Sequence, residues 1–258
     1  MKADTIDNYG RPTDPDDGLL TSRVHDALRI ARDSSVSKYI GFLDERRQAL
    51  CSYACARESG IDCRFFGGYE GAERVMLGLI PPGGEERFPI AALTLRVRPC
   101  AALTHRDWLG SLLALGLKRE SVGDLLCEPG RCVAFVAESV APVILRELTR
   151  VGGEGVKVVE GFSEPLPAAH RFAEKSVTVA SVRLDGVVSA LFACSRSQAA
   201  EWIRLGLVAV NGLPCQKGDA PLRGGDRLAV RGKGKFILDA CDRLTRKGRV
   251  VLEVRQYL

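Results

Sequence analysis

Apolar residues recur along the chain at helix-like and strand-like intervals, and their order predicts alternating helices and strands. The spacing of Val24, Leu28 and Ala31 predicts a short helix over 21–33, and a similar pattern predicts a second helix over 38–58. The first twenty residues lack such a pattern, so we expect them to form a mobile or surface-pinned leader. After the second helix, the segments at 61–66 and 74–79 are predicted to be strands.

The middle of the chain has a recognisable order of predicted elements. Strand-like and helix-like segments follow one another as β-α-β-β-α-β, at residues 88–97, 105–117, 124–127, 131–137, 142–149 and 155–160. This is the order of the split βαβ, or ferredoxin-like, plait. Breaks of Pro and Gly flank the plait at 81–84 and 164–167, and we place domain boundaries near them.

The last third predicts two helices followed by a small sheet. The first helix begins near residue 181, and Ser195 opens the second with Gln198 three residues later, which is the capping-box pattern. Gly206 is expected to end that helix. Asn211 and Gly212 form a hairpin signal, because both tolerate positive φ. Three further strands are predicted at 227–230, 236–240 and 250–254.

These patterns predict an α+β protein with three parts. They are an N-terminal helical, α+β region at 1–84, an RNP-like (ferredoxin-like) α/β plait at 85–164, and a smaller C-terminal domain at 177–258. With 46% hydrophobic and 27% charged residues among 258, the chain has the composition of a folded protein. No apolar run has the length of a membrane helix and no secretory signal is present, so a cytoplasmic protein without a membrane partner is expected.

The net charge of +5 is unevenly distributed. Residues 1–170 carry 21 Lys and Arg against 24 Asp and Glu, whereas residues 171–258 carry 16 against 8. A basic third beside a near-neutral body favours a polyanionic partner for that third, although solvated surface charge alone would give the same count.

The basic third also places cations where nucleic acid could meet them. Arg196 lies in the first turn of the second predicted helix, near exposed backbone N–H groups, and Arg204 follows two turns later. A Gly-rich stretch at 231–235 carries three cations and can approach a phosphate backbone closely. The candidate RNA-binding residues are Arg183, Ser195, Arg196, Gln198, Arg204, Asn211, Lys217, Arg231, Lys233 and Lys235. Trp202 and Ile203 are interpreted as core residues rather than stacking platforms.

Several motifs of this third resemble the S4 RNA-binding domain. The matching residues are Arg183-Leu184-Asp185, Ser195-Arg196, Ala199, Ile203, Gly206, Val208, Asn211-Gly212 and Gly225-Asp226. The resemblance implies two helices packed on a small twisted sheet that binds structured RNA. Asp185 lies in a run that some pseudouridine synthases use for catalysis, but here we expect it to pair with an Arg or to cap a backbone donor.

The block from His105 to Asp124 is a more specific marker of a protein family than the S4 motifs, which occur in many RNA-binding proteins. Its His105-Arg106-Asp107 run resembles a kinase catalytic loop, but the chain lacks a nucleotide-binding Gly-rich loop, Asp-Phe-Gly and the metal-binding Asn. Together with Glu73-Arg74 after Gly67-Gly68, the block is similar to the YlmH family of bacterial RNA-binding proteins, from about residue 20 to 258. Trp108 and Lys235 are mild departures from that family's pattern.

The resemblance to the YlmH family implies a function on the ribosome. It implies binding of rRNA and tRNA on the large ribosomal subunit, in the rescue of stalled 50S–peptidyl-tRNA complexes, and a link to cell division. We expect a monomer without enzymatic activity. An RNA-modifying enzyme similar to a pseudouridine synthase and a cell-division adaptor are the alternatives.

The role of the middle block in RNA binding is open at this point. His105, Arg106, Lys118 and Arg119 could form a second phosphate-binding patch, or they could serve structure and internal ion pairs, with Asp107 capping its helix.

No cofactor or metal is predicted. The chain has no Walker loop, no strand followed by a dinucleotide-binding Gly motif, and no Cys and His spacing suited to zinc. Its nine cysteines show no disulfide framework, and Cys127 and Cys132, which flank a predicted turn, are expected to be reduced.

Overall fold

The structure is a computed structural model that describes residues 15–56, 58–170 and 172–258. These residues divide into two compact units, which we call the amino-terminal unit (15–169) and the carboxy-terminal unit (170–258). The architecture mixes helices and antiparallel sheets, which confirms the predicted α+β class.

The amino-terminal unit begins with two helices on a three-stranded antiparallel sheet. The sheet has the order β1-β3-β2. Buried residues of the first helix, such as Val24 and Leu28, pack against strand residues such as Leu77 and Leu79. The elements are α1 (Pro15–Ser34), β1 (Lys38–Leu43), α2 (Glu45–Cys55), β2 (Asp62–Phe66) and β3 (Val75–Ile80).

Two predictions for this region were wrong. The helix expected over 38–58 begins only after Asp44, whose side chain accepts a hydrogen bond from the Arg47 N–H at 2.9 Å. The preceding residues form β1, because Tyr39 and its β-branched and aromatic neighbours pair with β3. Residues 15–20 of the predicted leader belong to α1, and the rest of that leader lies outside the described residues.

The plait follows in the same unit, and its predicted order is confirmed. Its sheet has the order β5-β6-β4-β9 with every pair antiparallel, which is the strand order of a ferredoxin-like plait. A short hairpin of β7 and β8 precedes the last strand. The elements are β4 (Ile90–Arg96), α3 (His105–Leu113), β5 (Val122–Glu128), β6 (Arg131–Ala137), α4 (Ala141–Glu147), β7 (Arg150–Val151), β8 (Glu154–Gly155) and β9 (Lys157–Glu160).

A shared core joins the first sheet to the plait. Phe42 and Met76 from the first sheet pack with Leu126, Val133 and Phe135 of the plait, and all five are buried. The chain break predicted at 81–84 therefore lies inside one compact unit.

The carboxy-terminal unit is a pair of helices on a six-stranded antiparallel sheet. The sheet has the order β10-β15-β14-β13-β11-β12. Buried residues of the helices, such as Val187 and Ile203, pack against Phe236 and Leu238 of the sheet. The elements are β10 (Phe172–Val179), α5 (Leu184–Leu191), α6 (Arg196–Arg204), β11 (Val208–Val210), β12 (Leu213–Pro214), β13 (Arg227–Val230), β14 (Gly234–Leu244) and β15 (Val250–Tyr257).

The turn chemistry in this unit agrees with the predicted hairpin. Asn211 and Gly212 have φ values of +50° and +79°, and they connect β11 to β12. The last two strands are longer than predicted, so a hairpin of β14 and β15 extends well past the paired part of β13.

Candidate nucleic-acid interface

The start of α6 is built by a serine cap. The Ser195 hydroxyl accepts a hydrogen bond from the Gln198 N–H at 3.1 Å, as the sequence pattern predicted. Within the part of the chain that the structure describes, the Gln198 side chain makes no return bond, so only half of the capping box forms. The hydroxyls of Ser195 and Ser197 are 2.9 Å apart, and all three side chains are exposed.

Arg196 lies across the neighbouring helix. A methyl group built on Gly186 of α5 would come within 3.1 Å of the Arg196 Nη2 atom, so the guanidinium rests against the bare backbone at that glycine. Among the described residues, no carboxylate lies within ion-pair distance of Arg196. Its charge therefore remains available to an external anion. Gly186 was not among the predicted site residues, although a glycine inside a predicted helix is a signal of close packing.

The start of α5 brings a second arginine and a loop lysine to the same end of the helix pair. Arg183 is the residue before α5, and its Nε atom lies 3.7 Å from the Asp185 carboxylate. The Asp185 N–H donates to the Gly218 carbonyl at 2.8 Å, which places the loop carrying the exposed Lys217 beside Arg183. Three predicted cations, Arg183, Arg196 and Lys217, thus converge at the start of α5.

Asp185 has a structural role at this position. Its carboxylate accepts a hydrogen bond from the Gly186 N–H at 2.8 Å and faces Arg183, and its side chain is 19% exposed. The expectation that Asp185 pairs with an arginine and caps a backbone donor is confirmed.

The Gly-rich turn between β13 and β14 carries the next cations. Arg231 is held by its N–H, which donates to the Leu207 carbonyl at 2.9 Å, while its side chain is exposed. The Lys233 ammonium lies 4.4 Å from the centre of the Trp202 ring. Ile203 is buried as predicted, but Trp202 is only half-buried and its ring supports the lysine at the surface.

Two predicted RNA-binding residues are occupied by contacts within the protein. Arg204 binds Glu201 through two hydrogen bonds of 3.0 and 2.7 Å, which raise the pKa of Arg204 and lower that of Glu201. The Asn211 amide donates to Asp226 at 2.8 Å and accepts from the Arg227 N–H at 2.9 Å. Both contacts are local, because Glu201 lies three residues before Arg204 on the same helix and Asn211 lies in a tight turn. The Arg204 side chain is 69% exposed.

Lys235 lies on the other face of the sheet. Side chains alternate along a strand, and the adjacent Phe236 points into the core, so Lys235 points away from the helices. Its ammonium lies 4.8 Å from the centre of the Tyr257 ring. The structure therefore separates Lys235 from Lys233.

The candidate second patch is not brought together. His105 and Arg106 are exposed at the start of α3, whereas Lys118 and Arg119 follow the end of that helix, which is about 13 Å long at 1.5 Å per residue. The exposed Lys118 remains at the surface, but Arg119 is turned into the unit and donates to the Val122 carbonyl.

The partial burial of Arg119 lowers the pKa of its guanidinium group. Removal from water, with the charge of Arg74 nearby, lowers the pKa of Arg119 to about 10. Arg74 itself donates to the carbonyls of Phe42 and Val122, at 3.0 and 3.1 Å. Arg119 therefore contributes to the interior of the unit, and the four residues do not form one phosphate-binding patch.

Asp124 holds the segment that carries Arg74. Its carboxylate accepts from the Tyr69 hydroxyl at 2.8 Å and from the N–H groups of Glu73 and Arg74 at 2.7 and 3.1 Å. The Glu73-Arg74 and Asp124 motifs of the YlmH resemblance thus meet in space as a structural junction.

Asp107 helps to cap α3 by accepting hydrogen bonds from Thr104, the N-cap residue. Its carboxylate accepts from the Thr104 N–H and hydroxyl at 2.8 and 2.7 Å, and these bonds lower the pKa of Asp107. The predicted capping role is confirmed, and the expected ion pair with Arg106 or Arg119 is replaced by the capping box.

Metal-ligand clusters and bilayer-spanning helices do not occur among the described residues. Within residues 15–56, 58–170 and 172–258, no group of three or more His, Cys, Asp or Glu side chains is arranged to hold a metal ion. Over the same ranges, no helix combines the length and the apolar character needed to cross a bilayer.

Comparisons with known proteins agree with the two domains recognised from motifs. Residues 182–228 match the family described as "S4 domain", and residues 85–163 match "Putative RNA-binding domain in YlmH". A protein of Bacillus subtilis (strain 168) named ribosome-associated protein quality control protein P2 is 29% identical over 227 residues, which cover 86% of this chain and 88% of that protein.

A solved structure supports the fold. The structure titled cell division protein ylmH from Streptococcus pneumoniae matches with a TM-score of 0.51 and 16% identity, over 59% of this chain and 94% of that one. Together these findings confirm the resemblance that the His105–Asp124 block and the S4 motifs indicated.

Proposed function

Because this chain combines an S4 domain with the RNA-binding domain of the YlmH family, we propose that it is a non-catalytic RNA-binding protein that acts on the ribosome. Its proposed target is rRNA and tRNA on the large subunit, in the rescue of stalled 50S–peptidyl-tRNA complexes. The name of the Bacillus subtilis relative, a ribosome-associated quality control protein, supports this target.

One observation carries the proposal: three cations converge at the start of α5. Arg183, Arg196 and Lys217 come from two helix starts and one loop, and Arg196 rests on Gly186 without a carboxylate partner among the described residues. Structured RNA is recognised mainly through its shape and its phosphate backbone, which such a cluster can bind. We call Arg183, Arg196 and Lys217 the helix-start cluster.

The experiment measures binding of the purified protein to purified 50S and 30S subunits by co-sedimentation. We expect the wild-type protein to bind 50S particles, with an affinity that falls steeply as salt rises. Arg196→Glu reverses a charge in the helix-start cluster and should abolish binding. Arg29→Glu is the matched control, because Arg29 is 65% exposed on α1, outside both matched domains, and the net-charge change is the same. Equal binding by both variants would refute the proposal.

The alternatives have direct tests. An RNA-modifying enzyme would leave altered nucleosides in RNA incubated with the protein, and Asp185→Asn would remove them. A cell-division adaptor would retain its protein partners after nuclease treatment of the extract, whereas a ribosome-bound protein would release them.

A further inference from the structure

The β14–β15 hairpin extends away from the rest of its sheet. Strand β13 pairs only with the first four residues of β14, from Gly234 to Ile237, while β15 pairs with β14 as far as Leu244. The end of this hairpin, residues 243–249, lies outside the segment that matches the S4 domain. We call residues 243–249 the hairpin tip.

The hairpin tip is strongly basic. It contains Arg243, Arg246, Lys247 and Arg249 within seven residues, and Asp242 is the one acidic residue between positions 240 and 252. All four cations are exposed, and so is Leu244 at 64%. A tip of this kind buries little apolar surface, so its cations are not explained by the packing of the unit.

Two of the cations shape the tip, and two remain for a ligand. Arg243 lies 3.5 Å from Glu253, and Arg249 donates to the Thr178 carbonyl at 3.0 Å. Among the described residues, Arg246 and Lys247 have no ion pair. Both lie at the turn itself.

The turn that presents Arg246 and Lys247 is well ordered by hydrogen bonds. The Thr245 N–H donates to the Arg249 carbonyl at 2.7 Å, the Gly248 N–H donates to the Thr245 carbonyl at 2.9 Å, and the Thr245 hydroxyl accepts from the Arg249 N–H at 3.0 Å. A closed turn fixes the backbone positions from which the two cations extend, which reduces the backbone entropy lost on binding.

The hairpin tip and the Gly-rich turn lie at opposite ends of the same strand. The ends of this eleven-residue strand, Gly234 and Leu244, are ten steps apart, which is about 33 Å at 3.3 Å per residue. The unit therefore presents cations at two positions separated by the length of β14.

We infer that the hairpin tip is a second RNA contact, at which Arg246 and Lys247 bind the phosphate backbone of the same structured RNA. This inference rests on the proposed function. It extends the RNA footprint of the carboxy-terminal unit by about 30 Å beyond the Gly-rich turn. Arginine and lysine bind phosphate through charge-assisted hydrogen bonds, and Gly248 leaves room for a backbone to approach.

The test compares the double variant Arg246→Gln/Lys247→Gln with the double variant Arg29→Gln/Arg64→Gln. Both remove two exposed cations, and the second pair lies in the amino-terminal unit, outside the matched RNA-binding domain. Affinity is measured for purified 50S subunits and for deproteinised large-subunit rRNA over a range of salt concentrations. A urea unfolding curve for each variant checks that the fold is retained.

Loss of two phosphate contacts has a defined signature. We expect the slope of log K against log salt to fall by about 2 for the hairpin variant, and its Kd to rise roughly thirtyfold at 0.15 M salt. In hydroxyl-radical footprinting, the hairpin variant should lose one protected backbone segment and keep the segment protected by the helix-start cluster.

The outcomes separate this inference from the proposed function. If the hairpin variant binds like the wild type while Arg196→Glu fails to bind, the hairpin inference is overturned and the proposed function stands. If neither variant changes RNA binding, both are overturned.

Discussion

The ammonium nitrogen of Lys233 lies 4.4 Å from the centre of the Trp202 ring. The ring in turn contacts Phe192 edge-on, with centroids 6.2 Å apart, so the lysine is supported by a residue packed against the core. This contact holds a cation of the Gly-rich turn beside α6 while the turn itself remains exposed.

Lys233→Gln should weaken RNA binding without unfolding the unit. We expect the slope of log K against log salt to fall by about 1, because one phosphate contact is lost. The free energy of unfolding should fall by no more than about 1 kcal/mol, the strength of an exposed cation–π contact. Salt-dependent binding and urea unfolding measure the two effects. Arg29→Gln, at an exposed position of α1 outside both matched domains, is the control, and an equal slope for both variants would exclude a phosphate contact at Lys233.

Gly186→Ala should lower RNA affinity while the helix becomes no less stable. The added methyl group would come within 3.1 Å of the flexible end of Arg196, so the guanidinium must move. Alanine stabilises a helix by about 1 kcal/mol relative to glycine, and this gain offsets the cost of moving the Arg196 side chain. RNA affinity and thermal unfolding are compared with those of Gly110→Ala, whose methyl group meets nothing within 4 Å. Unchanged affinity in Gly186→Ala would mean that the position of Arg196 does not matter for binding.

Asp124→Asn should destabilise the amino-terminal unit. The carboxylate accepts three hydrogen bonds, from Tyr69, Glu73 and Arg74, and an amide can accept these through only one oxygen. We expect a loss of about 1–3 kcal/mol in the free energy of unfolding, measured in urea. Asp26→Asn is the control, because Asp26 is 70% exposed and, among the described residues, forms an ion pair only with Arg29 on the same helix. If both substitutions cost the same, Asp124 does not hold the junction.

The buried thiol of Cys51 should make stability fall at high pH. Removal from water raises its pKa from 9.0 to about 12, so its proton is held more tightly in the folded state than in the unfolded state. Its contribution to stability is complete below pH 9 and is lost as the pH rises towards 12. Between pH 8 and 10.5, the free energy of unfolding should fall by about 2 kcal/mol more in the wild type than in Cys51→Ala. Equal pH dependence in the two proteins would contradict this.

Local patterns predicted much of the fold because they depend on neighbours in sequence. The Ser195 cap, the Asn211-Gly212 hairpin and the order of the plait are all confirmed. The helix predicted over 38–58 was wrong at its start, since the mostly apolar segment at 38–43 fits either period and the pairing with β3 selects the strand.

The candidate site was predictable only in part. The sequence indicated which cations lie near helix starts and turns, but it could not indicate which of them are occupied. Arg204 pairs with Glu201 three residues earlier on the same helix, a local contact that the sequence analysis did not consider. Arg119 is half-buried beside Arg74 because of contacts that form only once the chain has folded. The hairpin tip was overlooked for a similar reason, since the length of β14 depends on its partner β15.

From its amino acids alone, this chain is marked as a protein with a basic RNA-binding third, because charge, caps and turn residues act over a few positions. The tertiary structure decides which charged side chains are exposed and which are paired within the protein, since many side-chain contacts and the strand lengths depend on residues far apart in sequence. Arg196, resting on Gly186 from a different helix, is a case in which only the folded chain gives a charge its position.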